Sequence, residues 1–334
     1  MQSTTKMSSN VLAIEQPYAP FAGLEIAVIL PCYNEEAAIG DVVAAFRKEL
    51  PEAQIYVYDN NSKDRTSEVA AAAGAIVRSE TLQGKGNVVR RMFADVDADI
   101  YLMCDGDITY DAASAPALIN KLIDENLDMV VGCRVDTEAA AYRAGHRFGN
   151  ALFTGFVANL FGNRFTDILS GYRVFSRRYV KSFPALSNGF EIETELTVHA
   201  LELRMPIGEM DTPYGARLEG SQSKLSTYRD GYRILMMITK LFKNERPLFF
   251  FTIIFALLSL VAIGLSIPVV LTYFQTGLVP RLPTALLSAS TMLLAFLALT
   301  CGLILDTVTH GRREIKRLAY LTVPSVGALI GKKN

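Results

Sequence analysis

Two aspartates separated by a single glycine are candidate metal ligands. Asp105, Gly106 and Asp107 follow an apolar run that extends from Ile100 to Met103. In an extended segment residues i and i+2 point to the same side, so both carboxylates can bind one cation. Mg²⁺ or Mn²⁺ held in this way bridges phosphate oxygens, which suits a diphosphate. The alternative is an Asp-Gly turn between two strands, so the triplet becomes specific only together with other motifs.

The elements that would position this pair are short apolar runs separated by amphipathic stretches. The runs cover residues 25–30, 54–59, 74–78, 99–104 and 128–133. One of the stretches between them carries apolar residues at helical spacing, from Ala38 and Ile39 to Leu50. Strands that alternate with helices predict an α/β fold with a mostly parallel, doubly wound sheet.

Polar segments follow these runs, where a doubly wound sheet collects its ligands. They read PCYNEE, DNNSKD, CDGD and GCR. A dinucleotide-dependent dehydrogenase would show GxGxxG after its first strand, and LPCYNEE does not match that pattern. The sequence therefore predicts a polar ligand site at the carboxyl edge of the sheet.

Composition allows a sizeable core and argues against zinc or disulfide chemistry. The chain has 334 residues, a formal net charge of −1 and 50% hydrophobic residues, enough for one or two domains. Its four cysteines form no CxxC pair, and its three histidines form no HExxH pattern.

Two long segments near the C-terminus carry no charged residue. They cover residues 248–274 and 283–305, with Arg281 in the link between them. Each exceeds the ~20 residues that a helix needs to cross a bilayer, so we predict a transmembrane hairpin rather than two buried core helices. Residues 224–247 mix basic with apolar and aromatic residues, which suits a helix in the membrane interface.

The flanks of this hairpin predict its orientation. Basic residues stand on both sides of it: Lys240, Lys243, Arg246, Arg312, Arg313, Lys316 and Arg317. Residues 1–22 show no secretory signal. We therefore expect an integral inner- or plasma-membrane protein whose catalytic domain and both termini are cytoplasmic.

The ordered motifs resemble those of the family-2 glycosyltransferases. Within that family they resemble the polyprenyl-phosphate glycosyltransferase group, which is exemplified by dolichyl-phosphate mannose synthase. VILPCYNEE looks like the opening strand and loop of that family, VYDNNSKDRT its nucleoside-reading segment, QGKGNVVRR its G-K-G segment and CDGD its metal-binding D-x-D. GCR, DILSGYR, GFEIETEL and RLEGSQSKL follow in the family's order. The likeness covers residues 26–225, and the ordered set is far more specific than any one motif.

The resemblance implies a GT-A-like, mostly parallel sheet domain followed by an interfacial amphipathic helix and two transmembrane helices. On this basis residues 1–22 are a loose tail and 23–223 the glycosyltransferase domain. Residues 224–247 are the juxtamembrane helix, 248–308 the hairpin, and 309–334 a basic cytoplasmic tail.

The resemblance also implies roles for individual residues. The nucleotide-sugar would contact Pro31, Tyr33, Glu35, Asp59, Lys85 and Asp105. The metal would be held by Asp105 and Asp107, which would be catalytic together with Arg134 and Arg217. The acceptor phosphate would be bound by Arg134, Arg147, Arg217 and Lys224, with Arg143 as an alternative to Arg147.

Two acids later in the chain allow more than one interpretation. Glu191 and Glu193 share a side if the segment is extended, where one could be a base or could orient the donor sugar. They could equally occupy the start of a helix, because acids are favoured at a helix N-terminus.

Two positions depart from the family pattern. Asn60 and Asn61 stand where the family often has an acid and a glycine, which leaves base and ribose recognition open. Thr109 stands where the family often has a glutamine, which leaves the third metal ligand open.

A phosphate acceptor needs cations rather than a strong base. Its second pKa is about 6, so it is already an anionic nucleophile at neutral pH. Arginine can bind phosphate oxygens with two parallel N–H groups, so the arginines named above suit an acceptor phosphate. The alternative is that each is an ordinary solvated charge.

The sequence predicts inverting transfer of a hexose-type sugar from a UDP- or GDP-sugar to a polyprenyl phosphate, with Mg²⁺ or Mn²⁺ as cofactor. The alternatives are transfer to a hydroxyl of a glycolipid or polysaccharide, and a non-catalytic nucleotide-sugar-binding scaffold. A processive synthase tends to carry Q-x-x-R-W, and this chain has no tryptophan. By resemblance we expect a membrane-bound homo-oligomer, a tetramer, that binds no nucleic acid.

Overall fold

The computed structural model describes residues 21, 23–136, 155, 165–185, 187, 189, 191–215, 236 and 239–333. Within them, seven strands form one sheet in the order β3-β2-β1-β4-β6-β5-β7. The strands are β1 (Ile26–Cys32), β2 (Gln54–Asp59), β3 (Ile76–Ser79), β4 (Ile100–Met103), β5 (Met129–Asp136), β6 (Arg173–Ser176) and β7 (Ile207–Tyr214). Only β6 among these runs antiparallel to its neighbours. The predicted mostly parallel α/β sheet is confirmed.

Helices cover both faces of this sheet. In the α/β domain they are α1 (Ile39–Glu49), α2 (Thr66–Ala72), α3 (Lys85–Asp95), α4 (Ala115–Asp124), α5 (Arg177–Ser182) and α6 (Ile192–Glu202). Side chains alternate along each strand, so in β2 Ile55 and Val57 join the core with α1, α2 and α4. Tyr56 and Tyr58 of the same strand join the core with α3, α5 and α6.

Burial on two faces explains why the central strands read as continuous apolar runs. Every residue of β4 and β6 is buried. The edge strand β7 has one buried residue, carries two acids and contains Pro213, which an edge strand tolerates. Its sequence therefore lacked the apolar pattern by which the first five strands were predicted.

Two long apolar helices follow, α7 (Pro247–Thr276) and α8 (Leu282–Leu321), and a short helix α9 (Val326–Lys333) ends the described chain. Both long helices are long and apolar enough to cross a membrane. They expose large apolar side chains, with Phe274 81% and Leu260 73% exposed. They also pack closely, since the Ser288 hydroxyl donates a hydrogen bond of 2.8 Å to the Ala262 carbonyl.

Helix α8 does not end with its apolar part. Residues 309–321, which the sequence assigned to a basic tail, continue the same helix. Helix α9 then returns to the α/β domain, where Val326 is 1% exposed and the Gly327 amide donates to Asn126 Oδ1 at 3.2 Å. The part of this region that the structure describes is therefore helical and packed against the domain.

The α/β domain and α8 meet at a fully buried carboxylate, Asp128. Its oxygens accept hydrogen bonds from Arg178 Nη2 and the Tyr320 hydroxyl, both at 2.8 Å. The Arg178 guanidinium also lies 4.7 Å from the centre of the Tyr320 ring. A charge buried in this way is stabilised only when such partners surround it. The last turn of α8 is thus part of the domain's own polar core.

Candidate active site

Three residues predicted to act in the site meet at the carboxyl edge of the sheet. Lys85 Nζ lies 2.5 Å from Asp105 Oδ1 and 2.5 Å from Glu193 Oε1. The three side chains come from the start of α3, the segment after β4 and the first turn of α6. We call this group the Lys85 junction.

The junction keeps a positive charge at the start of α3. Burial disfavours the charged ammonium, but the carboxylates of Asp105 and Glu193 outweigh it and raise the pKa of Lys85 above its ordinary value. Gly84, just before the helix, has φ 128°, which only glycine adopts readily. The first N–H groups of a helix lack intrahelical acceptors, so the start of α3 can donate to an anionic ligand, whereas the Lys85 charge is matched by two carboxylates.

The sequence predicts the aspartate pair in an extended segment, and the structure places it in a bend instead. Strand β4 ends at Met103, and residues 106–108 form a bend. Ile108 has φ 60°, a left-handed conformation that a β-branched residue rarely adopts and that is often found at functional sites. The Thr109 hydroxyl, at the position left open as a third ligand, donates to Asp107 Oδ1 at 2.6 Å.

Two glycines near Asp105 lie in close contact with neighbouring side chains. A Cβ on Gly171 would lie 2.6 Å from Asp105 Oδ2, and a Cβ on Gly106 would lie 2.6 Å from Cys32 Sγ. Gly171 therefore lets the Asp105 carboxylate approach its backbone closely, and Gly106 leaves space for the Cys32 side chain.

The donor set fits a hard cation that shares its coordination with a ligand. Among the described residues no three His, Cys, Asp or Glu side chains form a complete metal cage. Mg²⁺ and Mn²⁺ do not need one, because one or two carboxylates, waters and substrate phosphates can complete their coordination. Asp105 and Asp107 can supply the carboxylate ligands of such a cation.

The loop after β2 is bonded to the G-K-G loop by an asparagine. The Asn60 side chain is buried, and its amide donates to the carbonyls of Glu80 and Leu82 at 2.9 and 2.8 Å. Its Oδ1 accepts the Gly84 amide at 2.7 Å. The departure from the family's acidic residue thus has a structural explanation, which the sequence analysis missed.

Asp59 ends β2 and is bonded within its own loop. Its Oδ1 accepts the Ser62 amide at 3.1 Å, and its Oδ2 accepts the Ser67 hydroxyl at 3.0 Å. These bonds hold the carboxylate at the sheet edge, and its contact with the nucleotide stays a prediction.

The loop after β1 joins the same edge. Pro31 belongs to β1, and the segment with Tyr33 and Glu35 follows it. Asn34 links this segment to the loop after β2, since its amide donates to Ser62 Oγ at 2.9 Å and its Oδ1 accepts the Lys63 amide at 2.8 Å.

Arg134 is paired with a carboxylate that the sequence analysis did not single out. Its Nε and Nη2 donate to Asp167 Oδ2 and Oδ1 at 2.7 and 2.8 Å. Burial would raise the pKa of Asp167, but the hydrogen bonds from Arg134 outweigh it and keep the pKa below its usual value. The Arg134 guanidinium also lies 5.6 Å from the centre of the Tyr214 ring. Three other predicted acceptor residues, Arg147, Arg217 and Lys224, lie outside the described residues.

The two acids near residue 190 stand at a helix start, and they differ. Glu191 is exposed in the N-cap position and makes no capping hydrogen bond with its side chain. Glu193 is buried, and beyond its contact with Lys85 its Oε2 has no hydrogen-bond partner among the described residues. A buried carboxylate oxygen without a partner is unfavourable unless a ligand supplies a donor.

Arg173 is a further buried charge at this edge. Its Nε donates to the Ser170 carbonyl at 2.9 Å, its Nη2 to the Ile168 carbonyl at 2.5 Å, and its Nη1 to Thr197 Oγ1 at 2.9 Å. These bonds join the segment before Gly171 to α6. The sequence showed this arginine within DILSGYR but offered no sign of its burial.

Comparisons with known proteins identify the family. The model of the family described as Glycosyl transferase family 2 matches residues 27–183. Glycosyltransferase AglJ of Haloferax volcanii is 32% identical over 299 residues, which cover 89% of this chain and 98% of that protein. The chain belongs to glycosyl transferase family 2. This family-2 glycosyltransferase is also 29% identical over 222 residues to the dolichyl-phosphate hexose transferase of Haloferax volcanii, covering 66% of this chain and 96% of that protein.

The family-2 glycosyltransferase also resembles a solved enzyme, glucosyl-3-phosphoglycerate synthase of Mycobacterium tuberculosis. The TM-score is 0.55 at 25% identity, over 67% of this chain and 81% of the synthase. That synthase was crystallised in complex with Mn²⁺, UDP and glucosyl-3-phosphoglycerate. The predictions of a family-2 glycosyltransferase and of a GT-A-like fold are confirmed.

Proposed function

We propose that this family-2 glycosyltransferase transfers a hexose-type sugar from a nucleoside diphosphate to a polyprenyl phosphate, with inversion at the sugar carbon. The observation that carries the proposal is the Lys85 junction, which joins a cationic helix start to the aspartate pair at the carboxyl edge of the sheet. The name of the dolichyl-phosphate hexose transferase relative supports the choice of acceptor.

The donor diphosphate is proposed to lie against Lys85 and the aspartate pair. Mg²⁺ or Mn²⁺ bound to Asp105 and Asp107 would neutralise charge on the departing diphosphate. Lys85 and the first N–H groups of α3 would stabilise the same charge without reorganisation. Pro31, Tyr33, Glu35 and Asp59 are proposed to contact the nucleoside or diphosphate.

Glu193 is proposed to orient the donor sugar. Its Oε1 contacts Lys85, while its buried Oε2 can accept a hydrogen bond from a sugar hydroxyl. A hydroxyl bound there would give the buried oxygen the partner that it otherwise lacks.

The acceptor is proposed to enter from a bilayer crossed by α7 and α8, with both ends of the hairpin on the cytoplasmic side. The phosphate is already anionic at neutral pH, so it attacks without a base. It needs positive charge beside it, for which we propose Arg134 together with Arg147, Arg217 and Lys224.

The test is a transfer assay with purified protein in detergent, Mn²⁺, undecaprenyl phosphate and a panel of UDP- and GDP-sugars. We expect a lipid-phosphate sugar from one donor by mass spectrometry, and at least a ~100-fold loss in Asp107→Asn. Asp124→Asn, on the exposed face of α4, removes the same charge away from the site and should retain activity. Donor binding without any lipid product would contradict the proposed acceptor.

Transfer to a hydroxyl is the second candidate, and the free Oε2 of Glu193 favours it because a hydroxyl acceptor needs a base. Under this alternative Glu193→Gln slows transfer at least ~100-fold, and the residual activity loses the pH dependence that the base imposes. Under the phosphate-acceptor proposal the variant transfers more slowly with an unchanged pH profile.

A further inference from the structure

Arg173 carries a fully buried positive charge that no carboxylate among the described residues pairs with. Its side chain is 0% exposed, and its hydrogen bonds go to the carbonyls of Ser170 and Ile168, the Thr197 hydroxyl and a methionine sulfur. Burial lowers the pKa of Arg173, yet an arginine stays charged in a protein. A buried charge whose partners are all neutral costs more than an apolar side chain of the same size would. The hydrogen bonds of Arg173 therefore point to a role other than filling the core.

One side of the Arg173 guanidinium holds the segment that lies against Asp105. Its Nε donates to the Ser170 carbonyl at 2.9 Å, and the next residue is Gly171. The Gly171 amide donates to the Tyr110 hydroxyl at 2.9 Å, so this backbone is fixed on two sides. A Cβ on Gly171 would lie 2.6 Å from Asp105 Oδ2, so the backbone and the carboxylate are already in contact. Arg173 thus holds the backbone against which the Asp105 carboxylate rests.

The other side of the guanidinium reaches the first turn of α6 through Thr197. Arg173 Nη1 donates to Thr197 Oγ1 at 2.9 Å, and the Thr197 hydroxyl donates in turn to the Glu193 carbonyl at 3.1 Å. The Glu193 carboxylate belongs to the Lys85 junction, at 2.5 Å from Lys85 Nζ. Arg173 is therefore bonded, through one threonine, to the backbone of the second acid of the junction.

Asp105 and Glu193 come from distant parts of the chain, and two cations connect them. Lys85 joins the two carboxylates directly, but it does so at the end of a flexible four-carbon chain. The Arg173 guanidinium is planar and rigid, with fixed donor directions, and it connects the backbone on both sides. We propose that Arg173 is a positioning residue, which sets the distance between Asp105 and Glu193 and thereby aligns the donor diphosphate with the donor sugar, a role that rests on the donor site proposed above.

This role predicts a particular defect when the connection through Arg173 is broken. A nucleoside diphosphate would contact only the Asp105 side, whereas a nucleotide-sugar would contact the Asp105 and Glu193 sides at once. A change in the distance between the two acids should therefore weaken binding of the nucleotide-sugar more than binding of the diphosphate. Transfer should slow further, because a misplacement of about 1 Å can reduce a rate about 100-fold. A purely structural residue would weaken both ligands alike, in step with the loss of stability.

The test compares the affinities of two ligands for the full chain in detergent with Mn²⁺. One ligand is the nucleotide-sugar that binds most tightly in a panel of UDP- and GDP-sugars, and the other is its own nucleoside diphosphate. Isothermal titration calorimetry measures both affinities, and thermal unfolding in the same buffer measures stability. An absence of lipid product from the unmodified chain would contradict the proposed acceptor alone, because neither measurement involves an acceptor. A nucleotide-sugar that binds the unmodified chain no more tightly than its diphosphate would overturn the role of Arg173.

Thr197→Val is the decisive variant, because it keeps the shape of the side chain and removes only the hydroxyl that connects Arg173 to Glu193. We expect its nucleotide-sugar affinity to fall about fivefold or more, the effect of about one hydrogen bond, with less than about a twofold change for the diphosphate. Thr197→Ser keeps the hydroxyl and should restore most of the difference. Equal losses for the two ligands in Thr197→Val, or unchanged affinity for both, would refute the proposal.

Arg173→Lys separates the charge from the geometry. Lysine keeps a positive charge, but its single nitrogen cannot bond the Ser170 carbonyl and the Thr197 hydroxyl in the directions that the guanidinium uses. We expect a selective loss of nucleotide-sugar affinity at least as large as in Thr197→Val, and full retention would overturn the positioning role. Thr252→Val is the matched control, since it removes the same kind of bond within α7, from the Thr252 hydroxyl to the Leu248 carbonyl at 2.7 Å. It should behave like the unmodified chain.

Discussion

The Lys85 ammonium lies between two carboxylates that are far apart in the chain, at residues 105 and 193. Glu193 alone would be an unfavourable buried charge, Asp105 is half-buried, and the lysine alone would lose its proton more easily. The three charges therefore stabilise one another. Removing one of them should affect both folding and ligand binding.

We predict that Lys85→Met destabilises the domain by about 3 kcal/mol, because it leaves two carboxylates without their cation. Donor binding should weaken as well, since the ammonium faces the proposed diphosphate. Chemical denaturation and donor titration measure the two effects. Adding Glu193→Gln to Lys85→Met should restore part of the stability, because it removes one uncompensated charge. Lys121→Met breaks an ordinary surface pair with Glu125 and should cost less than about 1 kcal/mol.

At the residue level, the residues of the site could be predicted from the sequence, but most of their contact partners could not. Lys85, Asp105 and Glu193 were all named, but their contact joins positions that only the tertiary fold brings together. Asp167, the partner of Arg134, was missed because nothing local links residues 134 and 167. Asn60 was noted as a departure, and its role became visible only through its bonds to the G-K-G loop.

At the level of elements, α6 connects the candidate site to the C-terminal helix α8. It begins with Glu193 in the Lys85 junction and ends with Glu202 in contact with α8. Its middle is buried, and its hydrophobic residues do not fall on a single face. The first five strands and the first four helices were predicted from local patterns. β6 was not predicted as a strand, because it has only four residues and its antiparallel pairing with β4 and β5 is visible only in the tertiary structure.

His199 on α6 should make the stability of the domain depend on pH. Burial, with a smaller effect of the Lys316 charge, lowers the pKa of His199 to about 3. The unfolded chain binds a proton below about pH 6.5, whereas the folded chain does so only near pH 3. Stability from this residue is therefore present above pH 6.5 and is lost as the pH falls toward 3.

Between pH 7 and pH 5 the loss from His199 should be about 2 kcal/mol. Thermal unfolding at the two pH values measures it. His199→Asn should show a shallower dependence over this interval, even if it is less stable at pH 7. A variant with the same slope as the unmodified chain would contradict the assignment of this effect to His199.

At the scale of the whole molecule, the described structure attaches the α/β domain to α8 at two places. One is the Asp128 carboxylate with Arg178 and Tyr320, and the other is the Glu202 carboxylate with Arg313 and Lys316. This docking could not be predicted from the sequence, because the basic residues after the hairpin are also what a free cytoplasmic tail would contain. The domain boundaries and the oligomeric state stay predictions.

We predict that Tyr320→Phe weakens this attachment by about 1–2 kcal/mol, since it removes a hydrogen bond to a buried charge. Hydrogen exchange at the end of α8 should rise, and a protease should cut there sooner. Tyr273→Phe, on an exposed residue near the other end of the hairpin, is the control and should change neither. Unchanged exchange in Tyr320→Phe would mean that the remaining contacts suffice to hold α8.

Because α8 continues without a break from its apolar part to Tyr320, it acts as a spacer of fixed length. The fifteen residues from Leu305 to Tyr320 correspond to about 22 Å of rigid helix. Wherever the hairpin is anchored, the distance between that anchor and the Lys85 junction is set by the number of helical residues rather than by a flexible linker. The number of residues in this part of α8 therefore determines how far the site lies from the hairpin. An insertion of two helical turns would move the site about 11 Å from the hairpin without changing any side chain of the site.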